Sequence, residues 1–169
     1  MSVELYDLTV PTLIRQLDAL VNCLKKAQNY AESKKIAAAV LPNFRLAADM
    51  LPLSKQVQIA TDHAKGCCAR LAGVEPPVYE DNEQSLPELI ARVQKTLDYV
   101  RDFKPAQIDG NEGRDVTIKY PGLTLEFKGL PYVLNFVLPN FYFHVTTTYA
   151  ILRHVGVDLG KGDFLGNIR

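Results

Sequence analysis

PNFYFHVTTTYAILRH, residues 139–154, is the stretch whose reading decides the fold. At about 100° per residue on a helix, Phe141, His144, Thr148, Ile151, Leu152 and Val155 fall on one side. Their i, i+3/i+4, i+7 spacing is that of an amphipathic helix laid on a core. Pro139 suits the first helical turn, where its missing N–H is harmless, and Gly156 suits the C-terminal end. Two polar residues, His144 and Thr148, interrupt the apolar side. His144 faces inward, so its imidazole must find a partner inside the fold, a ligand or a metal. Tyr142 points away from it on the same wheel.

Outward from this segment the chain reads as more helices. Val10, Leu13, Ile14, Leu17, Leu20, Val21, Leu24, Ala27 and Ala31 form a helical stripe. Pro11 places the start of that helix near Thr9, with residues 2–8 as a preceding turn. The Ala-rich segment 34–49 is expected to be helical in part and broken at Pro42. A second helix is expected from Pro52 to Leu71, buried through Leu53, Val57, Ala60, Ala64, Cys67 and Leu71, and ended by Gly73. Pro76-Pro77 makes 74–84 a loop. Ser85-Leu86-Pro87-Glu88 is a capping box opening a third helix, whose buried face is Leu86, Leu89, Ile90, Val93, Leu97 and Val100. The period then changes to two. Val116, Ile118 and Tyr120 alternate with polar residues, as do Leu123, Leu125 and Phe127, with Pro121-Gly122 between them as a turn. This is a β-hairpin inserted between helices three and four, its apolar face expected to cover an end of the bundle. Residues 130–138 read as a short helical turn, and the Gly-rich tail 157–169 as extended chain packed through Val157, Leu159 and Phe164. The expected fold is mainly α: an up-and-down-type four-helix bundle with an inserted hairpin, in a single domain over residues 1–169.

The chain has 19 basic and 19 acidic residues and a formal net charge of zero. With no basic excess or stripe, nucleic acid is not an expected partner; Lys25-Lys26 and Lys34-Lys35 read as a solvated face. No apolar run approaches the roughly 20 residues that span a bilayer, so no membrane partner is expected. The N-terminus carries Glu4 and Asp7 and lacks the basic region of a signal peptide. The three cysteines, two of them adjacent, make no disulfide framework. Free thiols suit a reducing compartment, and a cytoplasmic protein is expected.

A zinc site needs three or four converging His, Cys or carboxylate ligands. Four residues after His144 stands Thr148, where a second histidine would be required. His154 is about 15 Å further along the axis and about 80° around it, and suits a C-terminal cap. His63 reads as a boundary residue. Gln56 lies nearer the core than Gln58, and its amide either pairs with His144 across the core or lines a polar pocket. Cys67 and Cys68 diverge by about 100° and read as core residues. Glu80, Asp81 and Glu83 read as a solvated cluster favouring the dipole of the third helix. Gly160 and Gly162 lack the strand–turn–helix setting of a phosphate loop. No metal and no cofactor are expected.

MSVELYDLTVPTLIRQL, PLSKQVQIATDHAKGCCARLAGVEP, EDNEQSLPELIARVQKT and LPNFYFHVTTTYAILRHVGVDLGKGDFLG together resemble a microbial family of unknown function within the DinB/YfiT-like four-helix-bundle superfamily. The resemblance covers nearly the whole chain and implies the same bundle. It also implies an ancestral metal site, because many members look like metalloenzymes, thiol-dependent S-transferases among them. They place one histidine on the second helix and an HxxxH pair on the last. Carried onto this sequence, the pair becomes His144 and Thr148. The second-helix position falls near Gln56, with His63 two turns later as a substitute. The implied remnant is a degenerate metal site, a small pocket of mixed polarity.

The resulting functional expectation is a small-molecule pocket centred on His144 as catalytic acid or base. Gln56, Thr148 and Asp49 would line it, Asp49 orienting the imidazole. Non-redox isomerisation, cyclisation or elimination would suit such a site. One alternative is a divergent metal-dependent transferase recruiting His63. The other is a non-catalytic structural bundle or homodimer, in which His144 is a satisfied core residue.

Overall fold

In the computed structural model, which describes residues 3–167, the first helix, α1, spans Leu5–Ser33. It starts earlier than the position of Pro11 suggests. Leu5 is buried in the core, and the N–H of Tyr6 donates to Asp109 Oδ1 at 2.8 Å. One early helix donor is thus capped from a distant segment. Pro11 lies inside the helix and cannot donate to the carbonyl of Asp7. The hydroxyl of Thr12 donates to that oxygen instead, at 3.4 Å. Ser2, part of the expected N-terminal turn, lies outside the described residues.

The 34–49 segment contains only one 3₁₀ turn, Leu41–Asn43. Helix α2 spans Leu53–Ala72 and stops where Gly73 turns left-handed at φ 74°. Helix α3 spans Leu86–Arg101 behind a complete capping box. Glu88 N–H donates to Ser85 Oγ at 3.5 Å, and Ser85 N–H to Glu88 Oε2 at 2.9 Å. A one-turn helix, α4 (Pro105–Ile108), buries Ile108. Strands β1 (Asp115–Tyr120) and β2 (Leu123–Lys128) form the antiparallel hairpin, pairing Val116 with Phe127 and Ile118 with Leu125. That face is turned inward. Val116 and Ile118 are buried, and Phe127 meets Tyr132 and Phe136 in tilted contacts at ring distances of 5.9 and 5.3 Å.

The backbone after the hairpin is helical throughout, as α5 (Gly129–Tyr132), a π-turn (Val133–Val137) and α6 (Leu138–His154). The expected short turn at 130–138 is therefore the first part of a longer helical run. Within it Leu138 N–H reaches back five residues to the carbonyl of Val133, the wider spacing that marks a π-turn. The tail is not wholly extended. Gly160 N–H donates to Asp163 Oδ2 at 2.8 Å, opening a short helix α7 (Lys161–Leu165). Lys26 of α1 pairs with Asp163 at 2.8 Å. Ile168 and Arg169 lie outside the described residues.

The protein is thus mainly helical with one small antiparallel hairpin. Helix α1 packs on α3, α3 on α2, α2 on α6 and α6 on α1. Their apolar stripes meet in one cluster that includes Leu13, Leu17, Val57, Ala64, Leu89, Val93, Phe141 and Ile151. Among the described residues no helix is long and apolar enough to cross a membrane.

Candidate functional site

The α2–α6 contact sets His144 against Gln56. His144 Nδ1 lies 2.7 Å from Gln56 Oε1. Gln56 Nε2 donates to the carbonyl of Leu51 at 3.0 Å, which fixes the amide with its oxygen towards the ring. An amide oxygen only accepts, so His144 carries its proton on Nδ1. Its Nε2 is left with the lone pair. Both residues are buried, at 9% and 1% exposure. Thr148 is fully buried one turn on, and its hydroxyl donates to the backbone carbonyl of His144 at 2.9 Å. Thr148 is thus tied to the backbone of His144 and does not line the cavity. Asp49 is exposed in the irregular segment before α2, and neither it nor Gln56 lines the cavity.

A cavity of about 490 Å³ opens beside His144 between α2, the hairpin and the start of α6. His63 lines it too, and is more than a boundary residue. Its ring lies nearly parallel to that of His144, with centroids 6.1 Å apart and planes at 17°, and meets Phe136 edge-on at 5.3 Å. Burial, then the neighbouring His144 and Arg70, press its pKa down to about 4. Burial also holds His144 below the ordinary histidine value. At neutral pH the site thus presents two uncharged imidazoles.

Asn140, Arg70 and Lys119 are also among the polar residues that line it, and they were not picked out in the sequence. Asn140 stands four residues before His144, on the same helix face, and that spacing was a readable signal. Its Nδ2 donates to the carbonyl of Phe136 in the π-turn at 2.6 Å, leaving Oδ1 as its accepting end. Lys119 reaches the cavity only because the hairpin comes to face α2 across it, which no local pattern encodes.

The acidic loop before α3 does not merely solvate a helix end. It closes over Arg92, which is 4% exposed. Arg92 Nε donates to Thr61 Oγ1 at 2.8 Å. Nη1 donates to the Glu80 carbonyl and to Glu83 Oε1, both at 3.0 Å. Nη2 reaches Asp62 at 3.0 Å and Asp81 at 3.1 Å. Four of the five guanidinium hydrogens thus have a hydrogen-bond acceptor, and the Asp81 carboxylate adds a further ion pair. The same loop covers Gln58, which the sequence places further from the core than Gln56. Gln58 is 2% exposed, and its Nε2 donates to Glu83 Oε2 at 2.8 Å. Asp62 also bonds Lys65 at 2.9 Å, and both line the cavity. Arg92 therefore anchors part of its wall from behind.

Cys67 and Cys68 are core residues. Burial pushes the Cys68 thiol up to about 12 and Cys67 well above its ordinary value, so neither is a ready thiolate. His154 is exposed in the last turn of α6, its ring 6.0 Å from that of Phe44. Among the described residues no three His, Cys, Asp or Glu side chains are grouped to hold a metal. The cavity is lined by two imidazoles and the Asp62 carboxylate, and that carboxylate is engaged by Lys65 and Arg92.

Residues 5–165 match the family described as Domain of unknown function (DUF1993). Among solved structures the chain is similar to that of a DinB family member protein from Shewanella denitrificans. The two share 42% identity with a TM-score of 0.86, over 97% of this chain and 93% of that one. No curated protein matches the chain.

Proposed function

As the chain belongs to a DinB-like family, Domain of unknown function (DUF1993), we propose that it binds a small molecule in the cavity beside His144, with the imidazole as acid–base group. One observation carries this reading: the Leu51–Gln56–His144 chain holds the proton on Nδ1. Nε2 is then a neutral base whose lowered pKa keeps it unprotonated at pH 7. The chemistry this suits is proton removal or return without redox change, as in isomerisation, cyclisation or elimination. Gln56 orients the base, Thr148 supports its helix turn, and Asp49 has no part at the ring. We read the helix packing as an up-and-down four-helix bundle in one domain, and the three buried free thiols as suiting the cytoplasm.

A thermal-shift screen of small molecules against wild type and His144→Ala tests this reading, because a ligand of the native state raises its melting temperature. Ligands that stabilise wild type and not His144→Ala are expected. A screen in which both proteins respond alike would leave the non-catalytic or dimerising bundle as the better account.

His63 favours a second reading, the divergent metal-dependent transferase, since it lies beside His144 in the same cavity. One zinc or nickel per chain in protein purified without a tag, lost on His144→Ala, would establish it.

A further inference from the structure

We propose that the ligand of this cavity is a small oxyanion, a carboxylate or a phosphate, and that Arg70 is its anchor. The proposal rests on the pocket reading above and names the class of molecule the pocket takes.

Arg92 of α3, which is buried, and Arg70 of α2, which is half-buried, are held in opposite ways. Arg92 binds three carboxylates. Arg70 lines the cavity, and among the described residues no carboxylate comes within ion-pair distance of it. Its Nη1 donates instead to Tyr132 Oη at 3.1 Å. Tyr132 is fully buried, and burial holds it as a neutral phenol. The guanidinium is thus positioned by an uncharged acceptor, with its charge unmatched and other donors left over. The position is built in. Gly66, one turn earlier, leaves the space the guanidinium fills, since a Cβ at 66 would stand 2.3 Å from Nη1.

The rest of the lining has the same sign. Lys65, Arg70 and Lys119 face the cavity with one carboxylate, Asp62. That carboxylate already holds Lys65 at 2.9 Å and Arg92 at 3.0 Å. Among the described residues Lys119 has no ion pair. A partly desolvated guanidinium without a counter-charge is unfavourable, and its fork matches the paired oxygens of carboxylate and phosphate. The accepting groups, His144 Nε2 and Asn140 Oδ1, belong to α6. The ligand this arrangement fits has an oxyanion at the α2 end. Towards α6 it has a hydroxyl, amine or acidic C–H. A cavity of about 490 Å³ is within the usual range for such molecules.

The test is calorimetric and thermal titration of the full chain with sodium phosphate and, separately, sodium malonate, ionic strength being matched with sodium chloride. Phosphate also stabilises proteins by exclusion from their surface, so Arg70→Gln is the reference. At ten times its Kd a bound anion is expected to raise the melting temperature by about 3–6 °C. Arg70→Gln should weaken binding at least tenfold. Gly66→Ala guards against a folding defect. Alanine favours the helix, but its methyl must displace the guanidinium, so this variant should fold and bind more weakly. A response to malonate alone assigns a carboxylate, and to phosphate alone a phosphate. Binding that survives His144→Ala and is lost in Arg70→Gln keeps the anchor while removing His144 from the ligand. The proposal is overturned if neither anion binds wild type, or if Arg70→Gln and Gly66→Ala bind as wild type does.

Discussion

Replacing Arg92 by methionine removes a charge while keeping most of the side-chain volume. The Arg92 side chain is 2% exposed, and that of its partner Glu83 is 10% exposed. The other two partners, Asp62 and Asp81, are 45% and 40% exposed, so water can take over much of the role of the cation there. What loses its counter-charge is the largely covered Glu83 carboxylate, which keeps only the Gln58 amide, together with the Thr61 hydroxyl and Glu80 carbonyl that lose their donor. Breaking a buried ion pair from one side costs about 3–5 kcal/mol. With two of three carboxylates reaching solvent, the low end applies, about 3 kcal/mol. For a chain of this length that is a fall of about 6–12 °C in melting temperature. Urea unfolding followed by far-UV circular dichroism measures it. Adding Glu83→Gln should recover part of the loss, since the stranded charge is then gone. Arg92→Met within about 0.5 kcal/mol of wild type, the range of ordinary surface substitutions, would refute the view that this cation organises the loop.

Gln56→Leu strands the Nδ1–H of His144 in a buried setting and should cost about 1–3 kcal/mol, read from the urea midpoint; unchanged stability would mean that the pair holds nothing. The His63 pKa of about 4 lies below its unfolded value near 6.5. Between those pH values the unfolded chain binds more protons, so stability falls as pH drops through the window and the loss is complete below about pH 4. Its contribution is roughly 3 kcal/mol at most; urea midpoints at pH 7 and 4.5 should show it, and His63→Phe should flatten the slope. A wild-type slope unchanged in that variant would place the proton uptake elsewhere.

Helices α2 and α3 and the hairpin were legible because their determinants are local. A stripe of 3.6-residue period, Ser85 with Glu88, Gly73 beyond the last turn, and strict alternation about Pro121-Gly122 act over a few residues. The pairing of Gln56 with His144 was legible for a related reason: each is a polar residue on a mostly apolar stripe, so each must face another element. The start of α1 was not, because the group that caps Tyr6 is Asp109, 103 residues away. Nor was Gln58, whose burial depends on a loop folding back over α2. Arg92 lies on the side of α3 beside Leu89 and Val93, but only the arrival of Asp62, Asp81 and Glu83 from other segments makes burial of its charge tolerable. The cavity is the clearest case. Its imidazoles come from α2 and α6, its unmatched cations from α2 and β1, and its accepting amide is set by the π-turn. Sequence by itself determined which faces are apolar and where helices stop, because those depend on neighbours along the chain. Tertiary structure alone decided which polar groups are covered, paired or left facing a void, because that depends on what arrives from elsewhere.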